Sequence, residues 1–563
     1  MSGLREYWIT WGDRRANRYE IAPGSVGGTG VGQDVPVTEP LLDADGIDRL
    51  REALAAAGYT SQGIADRIGP AATTAIGRHD YRAALRATTD RDPLATLVRL
   101  FVCGQTEPVP AVSAALPLPD LLAAGLLREV DDGIRAAVDL EPYGDDWWII
   151  SDLDGGRLAG DHVLGIGGAS TTLAGATIRR PVGSALDLGT GCGVQALHLS
   201  THAATVTATD VSDRALRFAA TTAALNGLDW ELLSGDLTAP VAGRRFDLVV
   251  SNPPFVVGPG TATHTYRDSG RPGDAVCAEL AAAAPDLLTE GGTMQYLANW
   301  LHVAGEDWTD RVAGWVAGTG LDAWVIQREV TDPVSYVRMW LADASEGSDP
   351  ARLAEWLDWF DAHKVEAIGF GLVTLRRPRG SGGSAGPATS VGSAGSVDPG
   401  GAAGSVGSVD PGGAAGGGSA GGGSGLGGRA RTVRIEDLRQ AVDQPLGAQV
   451  AAWFDRQDWL RGRPLLGYRY RAASRLRLHQ EATIGIEGWA VDRQLLALAD
   501  GLRWSEEVDP LVLALVGGCD GTVPLRDQLT VLATAHDVAE DVLAEVAEPI
   551  VAHLVERGFL EVV

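Results

Sequence analysis

Apolar residues between about 44 and 130 recur at intervals of three and four. "GIDRLREALAAAG", "TSQGIADRIG", "DPLATLVRLFVCG" and "LPDLLAAGLLREV" each place them on one helical face. Two β-like segments follow, "GIRAAVDLEPYG" and "DWWIISDL". From 184 to 300 the pattern changes to apolar runs alternating with helical ones. "SALDLG", "TVTATD", "WELLSGD", "FDLVVSN" and "GTMQYLANW" read as strands. "VQALHLSTHA" and "SDRALRFAATTAALNG" read as the helices between the first three, with Ser212 as N-cap and Asn226-Gly227 as a stop. Strict alternation with short turns predicts an α/β, doubly wound, mostly parallel sheet. "DAWVIQREV" and "VEAIGFGLVTLRR" would close it as two late strands around the helical insert "PARLAEWLDWFDAH".

The flanks differ from this core. Residues 1–40 are rich in Gly, Pro and polar residues without a period, so a partly ordered arm is expected. The short helices and strands of 41–155 resemble a winged-helix domain; a helical cap that binds nothing fits the same pattern. The sheet would occupy 156–378. Residues 379–430 repeat "GSVDPGGAAG" and carry almost no apolar side chain larger than valine, so they cannot offset their ordering entropy and read as a flexible linker. In 431–563, "DPLVLALVGGCDGTVPLRDQL" and "VAEDVLAEVAEPIVAHLVERGFLEVV" read as helices ending in a short strand, a second, mainly helical winged-helix-like domain. A domain on such a tether could dock a macromolecule and swing.

Charge and cysteine content narrow the function. The formal net charge is −27. Such a chain repels nucleic acid at long range, so any contact with it needs a local basic patch. Four cysteines, none at metal-ligand spacing, suit neither a disulfide scaffold nor a metal site. The N-terminus lacks the apolar core of a signal peptide, and no apolar run is long enough to cross a membrane. A cytoplasmic protein without metal or membrane attachment is expected.

The candidate chemistry lies at the strand ends. "LDLGTGCGVQ" leaves one strand and opens a helix, so its glycines allow a tight turn and a close ligand approach. Taken alone it also fits an ordinary strand–helix turn. One strand later "TATD" ends in Asp210, placed to accept the ribose hydroxyls of a nucleoside cofactor. After the third strand, Asp236 falls where an adenine amino group would lie. The glycine spacing is neither the dinucleotide fingerprint nor a phosphate loop.

"DLGTGCG" resembles motif I of class I methyltransferases that use S-adenosylmethionine. The fourth strand ends in "SNPPF", and an Asn-Pro-Pro-aromatic tetrad there resembles the small-domain N-methyltransferases. These include rRNA and DNA amino methyltransferases and release-factor glutamine methyltransferases. The resemblance implies a Rossmann-like core and S-adenosylmethionine as cofactor, held by Asp187, Gly189, Thr190, Gly191, Gly193, Asp210, Asp236 and Leu237. It also implies a catalytic tetrad of Asn252, Pro253, Pro254 and Phe255. An exocyclic amine or amide nitrogen has its lone pair delocalised. Two acceptors, the Asn252 side-chain oxygen and the Pro253 carbonyl, would turn that lone pair toward the methyl group. Phe255 would stack on the flat substrate. The rigid proline pair would hold its carbonyl out of the sheet ladder, and no histidine or carboxylate base is required. The Gly/Pro-rich loop after the tetrad would form a substrate lip through Tyr266 and Arg267.

The function expected is N-methylation of a macromolecule, first an exocyclic amine of an RNA or DNA base. Protein glutamine, in a translation factor, is the alternative. A nucleic-acid-binding regulator with an inactive core is the non-enzymatic one.

Overall fold

The centre of the molecule is an eight-stranded sheet whose strands follow the apolar runs of the sequence. A computed structural model describes residues 39–144, 147–153, 160–260, 267–343, 349–379, 431–486 and 488–563. The arm expected over 1–40 and the linker expected over 379–430 fall almost wholly outside these residues, as does Tyr266. The described residues of 1–378 and 432–563 belong to one compact unit.

The N-terminal part begins with helices α1 (Ala44–Ala57) and α2 (Ser61–Ile76). Asp43 caps α1 by accepting from the Gly46 amide. Strands β1 (Leu127–Val130) and β2 (Gly133–Ala136) form one antiparallel hairpin; β3 (Asp139–Tyr143) and β4 (Trp147–Ser151) form another. "LPDLLAAGLLREV" is therefore not one helix. Its helix stops at Ala123, Gly125 turns at φ 71°, and "LREV" becomes β1. The glycine breaks a run that periodicity alone reads as continuous.

The core strands are β5 (Val182–Leu188), β6 (Ala203–Asp210), β7 (Glu231–Ser234), β8 (Phe246–Ser251), β9 (Leu288–Val303), β10 (Asp322–Thr331) and β11 (Val365–Arg376). Helix α3 (Gly168–Ala176) precedes β5. Helices α4 (Val194–Leu199) and α5 (Asp213–Leu225) cross between the first three strands, and α6 (Ala275–Leu287) and α7 (Pro333–Asp343) come later. Ser212 and Asn226 cap α5 at its two ends. With β12 (Val433–Asp437), the sheet order is β7-β6-β5-β8-β9-β11-β10-β12. Pairs β5–β6, β6–β7, β5–β8 and β8–β9 are parallel, and only β11 runs against its neighbours. This is a doubly wound, Rossmann-like core of the class I methyltransferase type. The chain winds outward in both directions from β5. Beside β5, toward β8, lies the switch point at which such sheets bind ligands on their carboxyl edge.

Both flanks are fastened to this core. Arg51 on α1 donates to the carbonyls of Ala224 and Leu225 at the end of α5. The Asn226 amide exchanges two hydrogen bonds with the backbone of Trp148 on β4. On the other side, β12 pairs in parallel with β10, and helix α8 (Gly447–Leu460) brings Trp453 onto Trp324 of β10, ring centroids 4.5 Å apart. A domain free to swing is therefore not what residues 431–563 form. They complete the sheet edge and share its hydrophobic core. Helices hold the larger part of their regular structure, and two small sheets accompany them. β13 (Arg469–Ala472), β17 (Asp520–Pro524) and β18 (Leu560–Val562) make one small sheet; β14 (Leu476–Gly485), β15 (Gly488–Leu498) and β16 (Ser505–Glu507) make another. The C-terminal run contains β17 between two helices, Pro510–Gly518 and Leu525–His536, then helix α9 (Glu540–Arg557) and β18.

Candidate active site

Strands β5, β6, β7 and β8 end on the same side of the sheet, and their last residues and following turns enclose a cavity of about 180 Å³. It brings together most of the residues singled out in the sequence: Gly189, Thr190, Gly191, Asp210, Asp236, Leu237, Asn252, Pro253, Pro254, Phe255 and Arg267.

The glycine loop is built by hydrogen bonds that its sequence makes available. Gly189 and Thr190 donate their amides to the Thr209 carbonyl, which turns the loop back over β6. Gly191 sits at φ 56°, where a β-carbon would be strained but would meet nothing within 4 Å. Gly193 has a different reason: a β-carbon there would come within 2.6 Å of the Trp230 ring, so its absence lets α4 close against the sheet. Gly193 and Asp187 lie behind the cavity wall rather than on it. Asp187 is fully buried. Its Oδ2 accepts from the Thr190 hydroxyl at 2.7 Å and from the Ala196 amide at 3.0 Å, while Oδ1 has no partner among the described residues. Burial pushes its pKa up to about 7, against those two hydrogen bonds, and nearby Asp210 adds a smaller push.

Asp210 ends β6. Its two oxygens accept from the amides of Gly191 and Ser212, each at 2.9 Å. Burial raises its pKa also. Asp236 reaches the rim, where Arg271 engages its Oδ2 at 3.0 Å. The adjoining Leu237 adopts φ 44°, a strained conformation for a side-chain-bearing residue.

The tetrad follows β8. Ser251 anchors the strand end by donating its hydroxyl to the Leu188 carbonyl at 2.8 Å. The Asn252 Oδ1 is buried without a hydrogen-bond partner among the described residues. The Pro253 carbonyl accepts from the Phe255 amide at 2.7 Å, so the turn itself uses one of its two lone pairs. Phe255 is nearly buried, edge-on to Trp340 with centroids 6.1 Å apart. The Tyr336 hydroxyl accepts from the Val257 amide and from Asn299, fixing the chain beyond the tetrad. Arg267 lines the cavity from a buried position. The residue is 1% exposed, donates to the Trp340 carbonyl at 2.6 Å, and pairs with Asp268.

The remaining wall comes from elements that the motifs do not reveal. Asp161–Gly165, Ala169, Ser170, Gln195 and Trp340 all face the cavity. Gln195 ties α4 to the Ser170 carbonyl, and the Cys192 thiol donates to the Leu164 carbonyl. Burial raises that thiol to about 12, so it serves as a structural donor and not a nucleophile. The stretch "HVLGIGGAS" just before the core was the available signal, a glycine-rich turn opening a helix. Among the described residues no cluster of metal-ligating side chains occurs, and no helix is long and apolar enough to cross a membrane.

Comparison with known proteins converges on this segment. The methyltransferase small domain family matches residues 166–304. Two further families, each described as a domain of unknown function, match 56–137 (DUF7059) and 451–562 (DUF7782). Over 117 residues the chain is 37% identical to the ribosomal RNA small subunit methyltransferase C of Alcanivorax borkumensis, covering 21% of this chain and 32% of that protein. It is 40% identical over 120 residues to the release factor glutamine methyltransferase of Deinococcus radiodurans, covering 19% and 43%. It is 35% identical over 150 residues to the ribosomal protein uL3 glutamine methyltransferase of Bradyrhizobium diazoefficiens, covering 24% and 46%. The chain thus spans less than half the length of each of these relatives. What it shares with them is the segment that builds the cavity, and over that segment it is similar to the S-adenosylmethionine-dependent methyltransferases of the small-domain type.

Proposed function

We propose that this protein is an S-adenosylmethionine-dependent N-methyltransferase acting on a planar NH₂ group of a macromolecule, first an exocyclic amine of a nucleobase. The observation that carries the reading is the Asn252 Oδ1. It is a buried acceptor with no partner among the described residues, on the wall of the cavity that the glycine loop and Asp210 also line. A buried acceptor left unsatisfied costs about 1–3 kcal/mol, which is tolerable where a ligand donates to it.

The residues present fit the cofactor. The glycine loop leaves space for a close approach. Asp210 keeps lone pairs for two ribose hydroxyls beyond those used by Gly191 and Ser212. Asp236 and Leu237 stand on the side where an adenine would lie. Asp187 acts from behind the wall, holding the loop through Thr190 and the Ala196 amide. When bound, S-adenosylmethionine supplies an electrophilic methyl group on a sulfonium.

The chain's own part is alignment. Asn252 Oδ1 and the free lone pair of the Pro253 carbonyl accept the two N–H bonds of the substrate, which turns the nitrogen lone pair out of conjugation. Phe255, held by Trp340, and the prolines give the flat group a wall and exclude water. As the new N–C bond forms, the nitrogen becomes acidic and releases one proton toward solvent. Fixed geometry and fixed acceptors supply the rate enhancement.

Glutamine in a translation protein is the second reading, favoured because two of the three relatives carry that activity in their names. Incubation with tritiated S-adenosylmethionine and separated RNA and protein fractions tests both. N-methylated base after nuclease digestion supports the first reading and N5-methylglutamine after acid-free proteolysis the second. Label in neither fraction, nor in DNA supplied alongside them, overturns the proposal.

A further inference from the structure

We infer that the C-terminal residues 461–491 form an RNA-docking surface, a cationic strip leading onto a protruding β-hairpin. The inference rests on the methyltransferase reading for its biological purpose and names the substrate class as RNA.

The charge pattern is the first observation. In a chain of net charge −27, the stretch from Trp459 to Gln480 contains six arginines and one histidine and no carboxylate. An acidic protein that binds a polyanion must concentrate its contacts at such a place. Not every arginine is available. Arg461 turns inward to the buried Asp322. Arg475 lies 3.5 Å from Asp500, and Arg471 has Glu561 and Asp520 as strand neighbours. Arg463, Arg469 and Arg477 are exposed and have no ion pair among the described residues. Two of them are held in place by contacts that leave their charge unneutralised. Arg463 sits over the Trp459 ring and reaches the Tyr468 hydroxyl; Arg469 donates to the Thr522 carbonyl.

The hairpin is the second observation. β14 and β15 pair over their whole length, but β16 covers only Leu495–Ala497 near the base. One face of the ribbon begins in the core at Leu476, Leu496 and Leu498 and continues outward as Ile484, Trp489 and Val491. Those outer residues are exposed, Ile484 by 72% and Trp489 by 73%. A strand of ten residues reaches about 33 Å, so the arm carries an aromatic ring well beyond the body. The opposite face bears Arg477 and His479. Glu481 stands opposite Arg493 in register, but Arg493 pairs with Glu507 at 2.8 Å; Asp492 is the arm's other acid among the described residues.

Cations at the root and an exposed indole at the tip match a nucleic-acid strand, whose phosphates take the arginines and whose unpaired base takes the ring. RNA therefore takes its phosphates along the strip from Arg463 to Arg477 and crosses the edge of the two-stranded ribbon to stack a base on Trp489 of the other face. Self-association of the chain through the arm is the alternative occupant, and it is one of the outcomes the test separates.

The test is equilibrium binding of the full chain, without cofactor, to a short fluorescein-labelled single-stranded RNA of mixed sequence, across salt concentrations. Affinity falls as salt rises, with a log–log slope of about −0.7 per phosphate contacted. The variant R463E/R469E/R477E, at the melting temperature of the parent, binds at least tenfold more weakly with a slope shallower by about two units. Trp489→Ala, which removes no charge, weakens binding by about fivefold or more at unchanged slope. No binding by the intact chain overturns the inference. So does binding that survives the triple reversal, or self-association lost on trimming the hairpin while RNA stays unbound. RNA binding without any methyl transfer leaves the docking surface standing and sinks the proposed activity. Methylation of protein glutamine without RNA binding does the reverse.

Discussion

Asp187 and Asp322 are both fully buried carboxylates on one sheet, at opposite edges. Asp187 is the next-to-last residue of β5, at the carboxyl edge. Asp322 opens β10, which runs in the same direction, and so lies on the amino edge. The first keeps one oxygen unpartnered beside a cavity. The second is saturated: Oδ2 accepts from Arg376 at 2.8 Å, and Oδ1 from Arg461 and from the Thr432 amide. Asp458 shares both arginines, and Arg376 also stacks on the Phe454 ring. Equal burial with unequal satisfaction separates two purposes. The amino edge uses charge to lock β11, β12 and α8 together. The carboxyl edge leaves acceptors open for a ligand.

Breaking the saturated side has the largest expected effect. Asp322→Ala leaves the buried Arg376 and the partly buried Arg461 with only Asp458 to share and lowers unfolding free energy by about 3 kcal/mol. Denaturant titration measures this. Turnover per folded molecule stays at the parental value, because no cavity residue is touched. A stability change below about 1 kcal/mol would show that the network is ornamental.

Asn252→Ala is the converse. Turnover falls by about 10²-fold or more, the cost of one aligned polar group at a reacting centre, with cofactor affinity retained in calorimetry. Stability does not fall, since the change removes an unsatisfied buried acceptor instead of creating one. Parental turnover would place the substrate nitrogen elsewhere.

These two edges were not equally legible in the sequence. The carboxyl edge announced itself because its parts are local: a glycine loop directly after β5, an acid at the end of β6, a proline pair at the end of β8. Each is a short motif whose reason is contained in its own neighbourhood. The wall residue Trp340 was not legible, because only folding brings it to the cavity, and the Gly-rich stretch around Gly165 gave a turn signal without saying what it faces. The amino edge was invisible for a similar reason. "VRIED" is a five-residue strand with no distinctive period, and its partner β10 lies about a hundred residues earlier, across a low-complexity stretch. The arm of β14 and β15 alternates as a strand should, but alternation predicts a buried apolar face, and here the outer half of that face is exposed.

The pH dependence of stability sharpens the comparison further. Asp187 holds its proton up to about pH 7 in the folded protein, whereas the unfolded side chain releases it near 3.8. Between those values the folded state binds one proton more. The stabilisation from this group is therefore complete below about pH 4 and is lost as pH rises through about 7, at no more than about 1.4 kcal/mol per pH unit. Asp210, also raised by burial, acts in the same sense. Unfolding free energy measured from pH 5 to 7 in the ligand-free protein falls more steeply for the parent than for Asp187→Asn. Identical slopes would mean that water reaches the carboxylate.

The smallest effect concerns the tie between β11 and β12, which is made at the saturated edge. Asp322 pairs in register with Arg376 at the end of β11, and its neighbour Ala323 with Val433 at the start of β12. The two chain ends are thus two strand spacings apart, about 10 Å. A handful of residues can cross that gap, yet the segment from 379 to 431 is far longer. Its length is not needed to seat β12, because the Asp322 network and the Trp324–Trp453 stack already do so. Replacing 380–430 by about twelve Gly/Ser residues halves the loop twice, and each halving lowers the closure cost by about 0.6 kcal/mol. The shortened protein should unfold about 1 kcal/mol later in denaturant and keep the cofactor affinity and turnover of the parent, since the join lies at the edge away from the cavity. A loss of stability on shortening would show that residues 380–430 pack against the fold. Lost turnover at unchanged stability would show that they serve the carboxyl edge after all.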